Sequence, residues 1–398
     1  MIYLDNNAST PLLPAVWTAM QAHFTDIAGN PASAHAAGRQ ARRALEEARA
    51  RVAAALHAEP DEVVFTSGAT EANNLALTGL VGQPPGHVIV SAVEHPSVAE
   101  PARRLGQAGF AVDWLPVNGV GVVRTELLAG LLRPETRLIA VQLANHETGA
   151  VQPIADLASG GRKPPEGSAE PRMDSSAGLR PPLAFHCDAT QAVGKLPVDF
   201  HGLGVSTLSL SAHKFHGPKG VGALLVRRGV NLQALFAGGH QQQGRRPGTE
   251  SVALAAGLAA ALDLSVTEAA QRRTEVLTLR RHFLDHLRRE AAPVVLNGPE
   301  EGGLPHALNL SFPGCRAESL LMNFDLAQVA CSAGSACSSG SLLPSPVLQA
   351  MGLPPELLHS AVRFSFSHLL SVAEVEEAAR RIVRVCQRLR STAGAAEA

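Results

Sequence analysis

A chain of 398 residues with 45% hydrophobic and 17% charged side chains has room for two folded domains, which excludes a disordered protein. Its net charge of −1 offers no excess of lysine and arginine, which argues against a nucleic-acid or polyanion binder. No apolar run reaches the roughly 18 residues of a membrane span, no signal peptide is visible, and the five cysteines are an odd number for a disulfide framework; a cytoplasmic, reducing location is expected.

The first residues read as an arm or short strand entering the turn Ser9-Thr10-Pro11. Ala15 to Phe24 is weakly helical, and Gly29-Asn30-Pro31 breaks the chain. From Arg39 to His57, Ala41, Ala44, Leu45, Ala48, Val52, Ala55 and Leu56 recur at helical spacing, with arginines and glutamates opposite. Glu62 to Thr66 reads as a strand. It runs into Ser67-Gly68-Ala69-Thr70-Glu71 and a helix over Ala72 to Leu80. A strand, a small-residue turn and a helix start form either an anion site, where free N–H groups point outward, or an ordinary capped turn.

The alternation continues with a strand over His87 to Ser91, then Glu94-His95-Pro96-Ser97 and a helix. Further strands are expected over Ala111 to Val117, Arg137 to Leu143 and Ala184 to Cys187, with a short helix over Thr125 to Leu132. Strands separated by helices predict a parallel α/β sheet, whose ligands bind beyond the carboxyl ends of the strands. Thr70, His95, Asn145, His146 and Asp188 fall there. Residues 158–182 are rich in Gly, Pro, Ser and charge, and are expected to form a flexible surface insertion.

Val205 to Leu210 alternates as a strand with small hydroxyls on one face, and Gly222 to Val226 is a second strand. Lys214 lies on the turn between them, beside Ser211, His213 and a glycine cluster. Such a lysine is either solvated or held among phosphate-binding donors with its amine available for imine chemistry. A polar loop from Gly238 to Thr249 leads to helices over Ser251 to Val266 and Thr267 to Glu290. Short strands (Pro293 to Leu296, Ala307 to Phe312, Ala327 to Cys331, Ala361 to Phe366) and helices (Ala317 to Phe324, Val372 to Arg390) follow in an α+β pattern. The expected division is a large α/β domain over 14–260 and a small α+β domain made of 1–13 and 261–398.

Four residues stand out chemically. Asp188 ends a buried strand, where it is an ion-pair partner or helix cap, or else a partner for a protonated ring nitrogen. His95 is structural, or stacks on a flat cofactor and moves a proton. Cys337 sits in Gly334-Ser-Ala-Cys-Ser-Ser339, an accessible small-residue setting that suits a nucleophile, whereas Cys331 at a strand end reads as inert. Arg363 lies inside an apolar strand and needs an anion, either a substrate carboxylate or an internal Asp or Glu.

Together the segments Tyr3–Asn7, Gly29–Pro31, Phe65–Asn74, Val93–Val98, Asp188–Gln191, Ser211–Lys214 with Gly217-Pro218, Gly248-Thr249, Gly334–Ser339 and Arg363–Phe366 resemble the cysteine desulfurases of the class V aminotransferase family. The resemblance implies a pyridoxal 5'-phosphate enzyme of fold type I, with a mostly parallel sheet flanked by helices and a smaller α+β C-terminal domain. It implies that Lys214 forms the imine with the cofactor and then moves the substrate Cα proton. Asp188 would pair the ring nitrogen, Gln191 the ring oxygen, and His95 would stack on the ring. Ala69, Thr70, Ser211 and His213 would hold the phosphate, with Thr249 reaching the site of the partner in a homodimer. His146 stands where the family often has an asparagine that touches the cofactor, and could bring a pH dependence. Asn30 and Arg363 would bind the carboxylate of L-cysteine. Cys337 would take the sulfur as a persulfide and pass it to an acceptor protein for iron–sulfur cluster assembly or thiolation of a cofactor or tRNA, leaving L-alanine. The alternatives are a selenocysteine lyase and a non-catalytic partner-binding protein of the same fold. No metal, nucleic acid or membrane partner is expected.

Overall fold

The computed structural model describes residues 1–26, 28–159, 183–333 and 344–396. Its strands are β1 (Ile2–Tyr3), β2 (Val63–Thr66), β3 (His87–Ser91), β4 (Ala111–Leu115), β5 (Thr136–Ala140), β6 (Ala184–Asp188), β7 (Thr207–Ser211), β8 (Gly222–Val226), β9 (Val295–Leu296), β10 (Ala307–Ser311), β11 (Val329–Ala330) and β12 (Ala361–Ser365). Seven of them form one sheet in the order β2-β8-β7-β6-β5-β3-β4. β8 runs antiparallel to both of its neighbours, and the other pairs are parallel. Every residue of β2, β3, β6, β7 and β8 is buried, as expected for a sheet with helices on both faces. Two buried hydroxyls of β7 have partners: Thr207 meets the His186 ring at 2.9 Å, and Ser209 donates to Asn73 at 2.5 Å.

The helices follow the expected periodicity with longer N-terminal ends. Ala36–Ala55 begins where His35 accepts from the Gly38 N–H, and Ala69–Val81 begins at the turn itself. The segment read as a helix over Thr125 to Leu132 is a 3-10 turn followed by one α-turn, Leu128–Leu131. β5 stops at Ala140 rather than Leu143. The N–H groups of Val141 and Leu143 still bond to the carbonyls of His186 and Asp188, so the chain continues alongside β6. Two short helices, Pro346–Ala350 and Pro355–Leu358, escape the periodicity; each starts on a proline at its first position. A helix over Ile154–Ala158 carries residue 158 and is capped by Ser159, and residues 160–182 of the expected insertion lie outside the described residues.

A first apolar cluster lies under the large sheet and includes helix Val252–Thr267, whose Ala261 and Leu262 remain inside it. A second gathers Ile2 and Leu4 with Phe283, Phe312, Phe364 and Ile382. It is covered by helices Ala269–Glu290 and Val372–Ala396 around the small sheet β12-β10-β9. The fold is therefore a mostly parallel α/β sheet flanked by helices, with a smaller α+β unit. β1 lies parallel to β11 in this second part, so the N-terminal arm crosses from one cluster to the other. Among the described residues no single helix is long and apolar enough to cross a membrane.

Candidate active site

The carboxyl ends of β2, β3, β5, β6 and β7 open on one cavity of about 480 Å³. Each strand end delivers one feature to its wall. β2 runs into Gly68, which has φ 157° and ψ 177°, a conformation open to glycine and costly for other residues. Helix Ala69–Val81 starts there without a side-chain cap, so its first N–H groups are available to an anion. A Cβ built on Gly68 would meet only the Ser211 hydroxyl, at 3.6 Å, so the turn is a cradle kept open by its lack of a side chain. Behind it, β8 presses close: a Cβ on Gly222 would lie 2.7 Å from the Gly68 Cα.

β3 leads to His95, the N-cap of helix Pro96–Gln107. Its Nδ1 accepts from the Ser97 N–H at 3.1 Å. The ring meets that of His146 edge-on, with centroids 5.2 Å apart and planes at 78°. Burial lowers the pKa of His95. His146 is held well below the usual range by burial, then by His95, Arg363 and Lys214, so it is a neutral imidazole. The neighbouring Glu147 is pushed up to about 7 by burial, and Ser345 donates to its Oε2 at 2.6 Å.

β6 ends on Asp188, which is buried. Its Oδ2 accepts from Asn73 Nδ2 at 2.8 Å and its Oδ1 from the Thr190 N–H at 2.9 Å. Asn73 is locked in turn: its Oδ1 accepts from Ser209 and from His186 Nε2 at 2.9 Å. β7 ends on Ser211 and enters the 3-10 turn Ala212–Lys214. There Lys214 Nζ donates to the carbonyls of Asn7 at 2.6 Å and Ala8 at 3.0 Å. His213 lies beside the Ser9 hydroxyl at 3.2 Å; burial and then Lys214 push its pKa down to about 4. An amine, a carboxylate and an uncapped helix start thus line one cavity.

The aminotransferase class-V model matches residues 2–166 and 180–377. The chain belongs to this family. It is 39% identical to the cysteine desulfurase IscS of Dictyoglomus turgidum over 393 residues, covering 98% of this chain and 95% of the relative. A putative cysteine desulfurase, IscS 1 of Bacillus subtilis, is 40% identical, with 98% of this chain and 99% of the relative covered. A solved NifS-like protein superposes with a TM-score of 0.87 at 31% identity, covering 97% and 99% of the two chains.

Within this class-V chain, Ala69, Thr70, His95, His146, Asp188, Gln191, Ser211, His213 and Lys214 all line the cavity. Arg363 lies one layer behind, donating to the His146 carbonyl at 3.1 Å and to Asp5 Oδ1 at 2.8 Å. The internal-carboxylate partner considered for it is therefore present, while its buried Nε has no partner among the described residues. Asn30 is exposed and spends its side chain on the Ala32 N–H at 2.9 Å, and Thr249 is exposed; neither lines the cavity of its own chain. Cys337 lies outside the described residues. Cys331 is partly buried and its thiol pKa is pushed upward, first by desolvation, consistent with an inert thiol. Asn7, Asn73 and Glu94 received no role from the sequence. Asn73 carried a signal, a polar residue between the buried Ala72 and Leu75 on one helix. Glu94 is buried, pushed up to about 8 by desolvation, and accepts from Ser91 and from the Gln142 N–H.

Proposed function

We propose that this chain is a pyridoxal 5'-phosphate-dependent cysteine desulfurase. It converts L-cysteine to L-alanine and holds the sulfur as a persulfide on Cys337 for an acceptor protein. The observation that carries the reading is the meeting of Lys214 Nζ, the Asp188 carboxylate and the uncapped helix start at Gly68 in one cavity. The residues fit the cofactor. The open cradle at Gly68 with Ala69, Thr70, Ser211 and His213 suits a phosphate dianion. Asp188 offers an acceptor for a ring N–H, Gln191 Nε2 a donor for the ring oxygen, and His95 with His146 an aromatic wall. Bound there, the cofactor supplies an electron sink for the charge left at the substrate Cα.

The remaining work falls to the chain. Asn7 and Ala8 carbonyls accept two hydrogens of Lys214 Nζ and aim the amine into the cavity. As a free base, Nζ takes the proton from the substrate Cα. Arg363, with Nε unengaged, receives the substrate carboxylate, and Asn30 assists when the site is complete. The Cys337 thiolate forms the new S–S bond as the substrate C–S bond breaks, and the carbon fragment leaves as L-alanine after protonation. The neutral His146 provides aromatic surface and no charge.

Thr249, exposed on its own chain, is assigned to the phosphate site of a second copy in a homodimer. The two apolar clusters support a division into a large and a small domain close to 14–260 and 1–13 with 261–398, but the unbroken helix Val252–Thr267 keeps Ala261 and Leu262 in the large cluster, so the boundary falls after Thr267 rather than at 260. A cytoplasmic location belongs to the same proposal, supported by the free thiols of Cys187, Cys315, Cys331 and Cys386. Alanine release from L-cysteine by the purified, cofactor-loaded protein tests the activity. Cys337→Ala should abolish release while the visible absorbance persists, and Lys214→Ala should abolish the absorbance itself. Persulfide formation by Cys337→Ala at the wild-type rate would remove the nucleophile from this reading.

A further inference from the structure

A second, smaller cavity of about 50 Å³ lies on the other side of Lys214, and Lys195 lines it with that residue. Lys195 is half-buried, follows the turn after β6, and donates from Nζ to Gln191 Oε1 at 2.9 Å. Among the described residues this is its hydrogen-bond partner, and no carboxylate lies within ion-pair distance. The groups that face it are all basic: Lys214, Arg272, Arg273, His216, His306 and His368 on the cavity wall, and Arg363 from β12. The nearby Glu268 is taken by Arg272 at 2.8 Å. Burial, then Lys214 and Arg363, hold the Lys195 pKa well below its usual value.

A lysine without a counter-ion in such company is not there for an ion pair. Its one partner shows its use. The two ends of a glutamine amide have the same shape and opposite hydrogen-bonding character. Charged or neutral, a lysine amine has a hydrogen to give, and here it gives it to the oxygen end. Gln191 Nε2 is thereby turned to the Asn7 carbonyl at 3.1 Å, on the wall of the larger cavity. The same carbonyl accepts from Lys214 Nζ at 2.6 Å. We propose that Lys195 is a positioning residue that fixes the Gln191 side chain with its N–H end toward the ring oxygen of the cofactor and toward the Asn7 carbonyl beside Lys214. The hydrogen bond at Oε1 also polarises the amide and strengthens the donor at its far end. This inference rests on the pyridoxal phosphate reading of the site.

A donor at the ring oxygen draws negative charge toward itself and weakens the oxygen's hold on a proton shared with the Lys214 nitrogen. Its loss raises the pH midpoint of the visible-absorbance transition of protein loaded with pyridoxal 5'-phosphate, measured without cysteine. Lys195→Met should raise that midpoint by roughly one pH unit, a tenfold change in proton affinity. Lys195→Arg, which keeps the donor, should restore it. In a Gln191→Leu background Lys195→Met should have no further effect, because its action runs through Gln191. Should Lys195→Met not fold, Lys195→Leu, which also lacks a donor, set against Lys195→Arg makes the same comparison. An unchanged midpoint in Lys195→Met, or an equal shift in the Gln191→Leu background, would overturn the inference. The cofactor reading has a separate failure: wild-type protein that develops no visible band with pyridoxal 5'-phosphate sinks that reading, whereas a normal band that ignores Lys195 sinks this inference alone.

Discussion

Arg363→Lys asks whether the buried guanidinium serves the substrate or only the fold. The side chain is 3% exposed on β12. Nη2 is engaged with Asp5 at 2.8 Å, Nη1 with the His146 carbonyl at 3.1 Å, and Nε is unengaged. A substrate carboxylate would take Nε and share Nη2. Lysine has one nitrogen and cannot span these positions. The fold loses little in the exchange. The His146 carbonyl keeps Asn7 Nδ2 at 3.0 Å, and Asp5, at 18% exposure, can rehydrate. The loss therefore falls on the substrate, as at least one charge-assisted hydrogen bond. Such a bond contributes about 1.5–3 kcal/mol, or roughly 10- to 150-fold in affinity. Alanine release measured against L-cysteine concentration should show KM raised by that factor, with kcat changed by no more than about threefold and the cofactor absorbance intact. A KM within about twofold of wild type would refute the reasoning and leave the Asp5 pair as the arginine's whole task.

Gly222→Ala places a Cβ 2.5 Å from the Leu210 carbonyl oxygen and 2.7 Å from the Gly68 Cα, so the cradle must shift at a cost of about 1–3 kcal/mol. Fluorescence titration with pyridoxal 5'-phosphate should show affinity weakened by about tenfold, and unchanged affinity would contradict the assignment of the phosphate to this turn. His146→Asn should leave the shape of the kcat/KM profile unaltered above about pH 6.5, since the imidazole is already neutral there; the disappearance of a limb in that range would show that it titrates. Stability in urea should fall as pH drops from about 6.5 toward 4.5, because His186, His213 and His216, each lowered to about 4, and His146 and His306, which burial also holds well below the usual range, stay neutral when folded and take up protons when unfolded. Glu94, raised to about 8, and Glu147, raised to about 7, act the other way in that window but are outnumbered by the lowered histidines, to which His87, His95 and His368 also belong; a urea midpoint that rises on acidification would reverse this balance.

The sequence was most readable where chemistry and chain geometry coincide. β3 and β8 begin and end where expected, because each is a short apolar run bounded by glycine, proline or small turn residues. Thr70, His95, Asp188 and Lys214 were legible for a related reason: each stands at or just beyond the carboxyl end of a strand. Arg363 illustrates the limit. Its isolation in an apolar strand demands an anion, but the choice between substrate and internal carboxylate depends on Asp5, which is 358 residues away. Lys195 and Asn73 show the same limit from within helices and turns, since their roles depend on amide orientations set by distant partners. Asn30 and Thr249 are exposed and do not line the cavity of their own chain, so the roles proposed for them could not be read from the positions they take in one chain.

The N-terminal arm explains why these pieces cohere. Asp5 engages Arg363, the Asn7 and Ala8 carbonyls receive Lys214, and the Asn7 side chain donates to the His146 carbonyl at 3.0 Å and meets His306 at 2.6 Å. The same arm pairs Tyr3 with Ala330, next to Cys331 at the root of the segment that carries Cys337. It thereby fastens Lys214, the buried Arg363 and the small sheet to one another. Much of this work is done by backbone carbonyls, which every residue has. An arm that acts through its backbone leaves no periodicity and little residue preference, so its importance becomes visible only when the partners from positions 146, 214, 306 and 363 are seen converging on it.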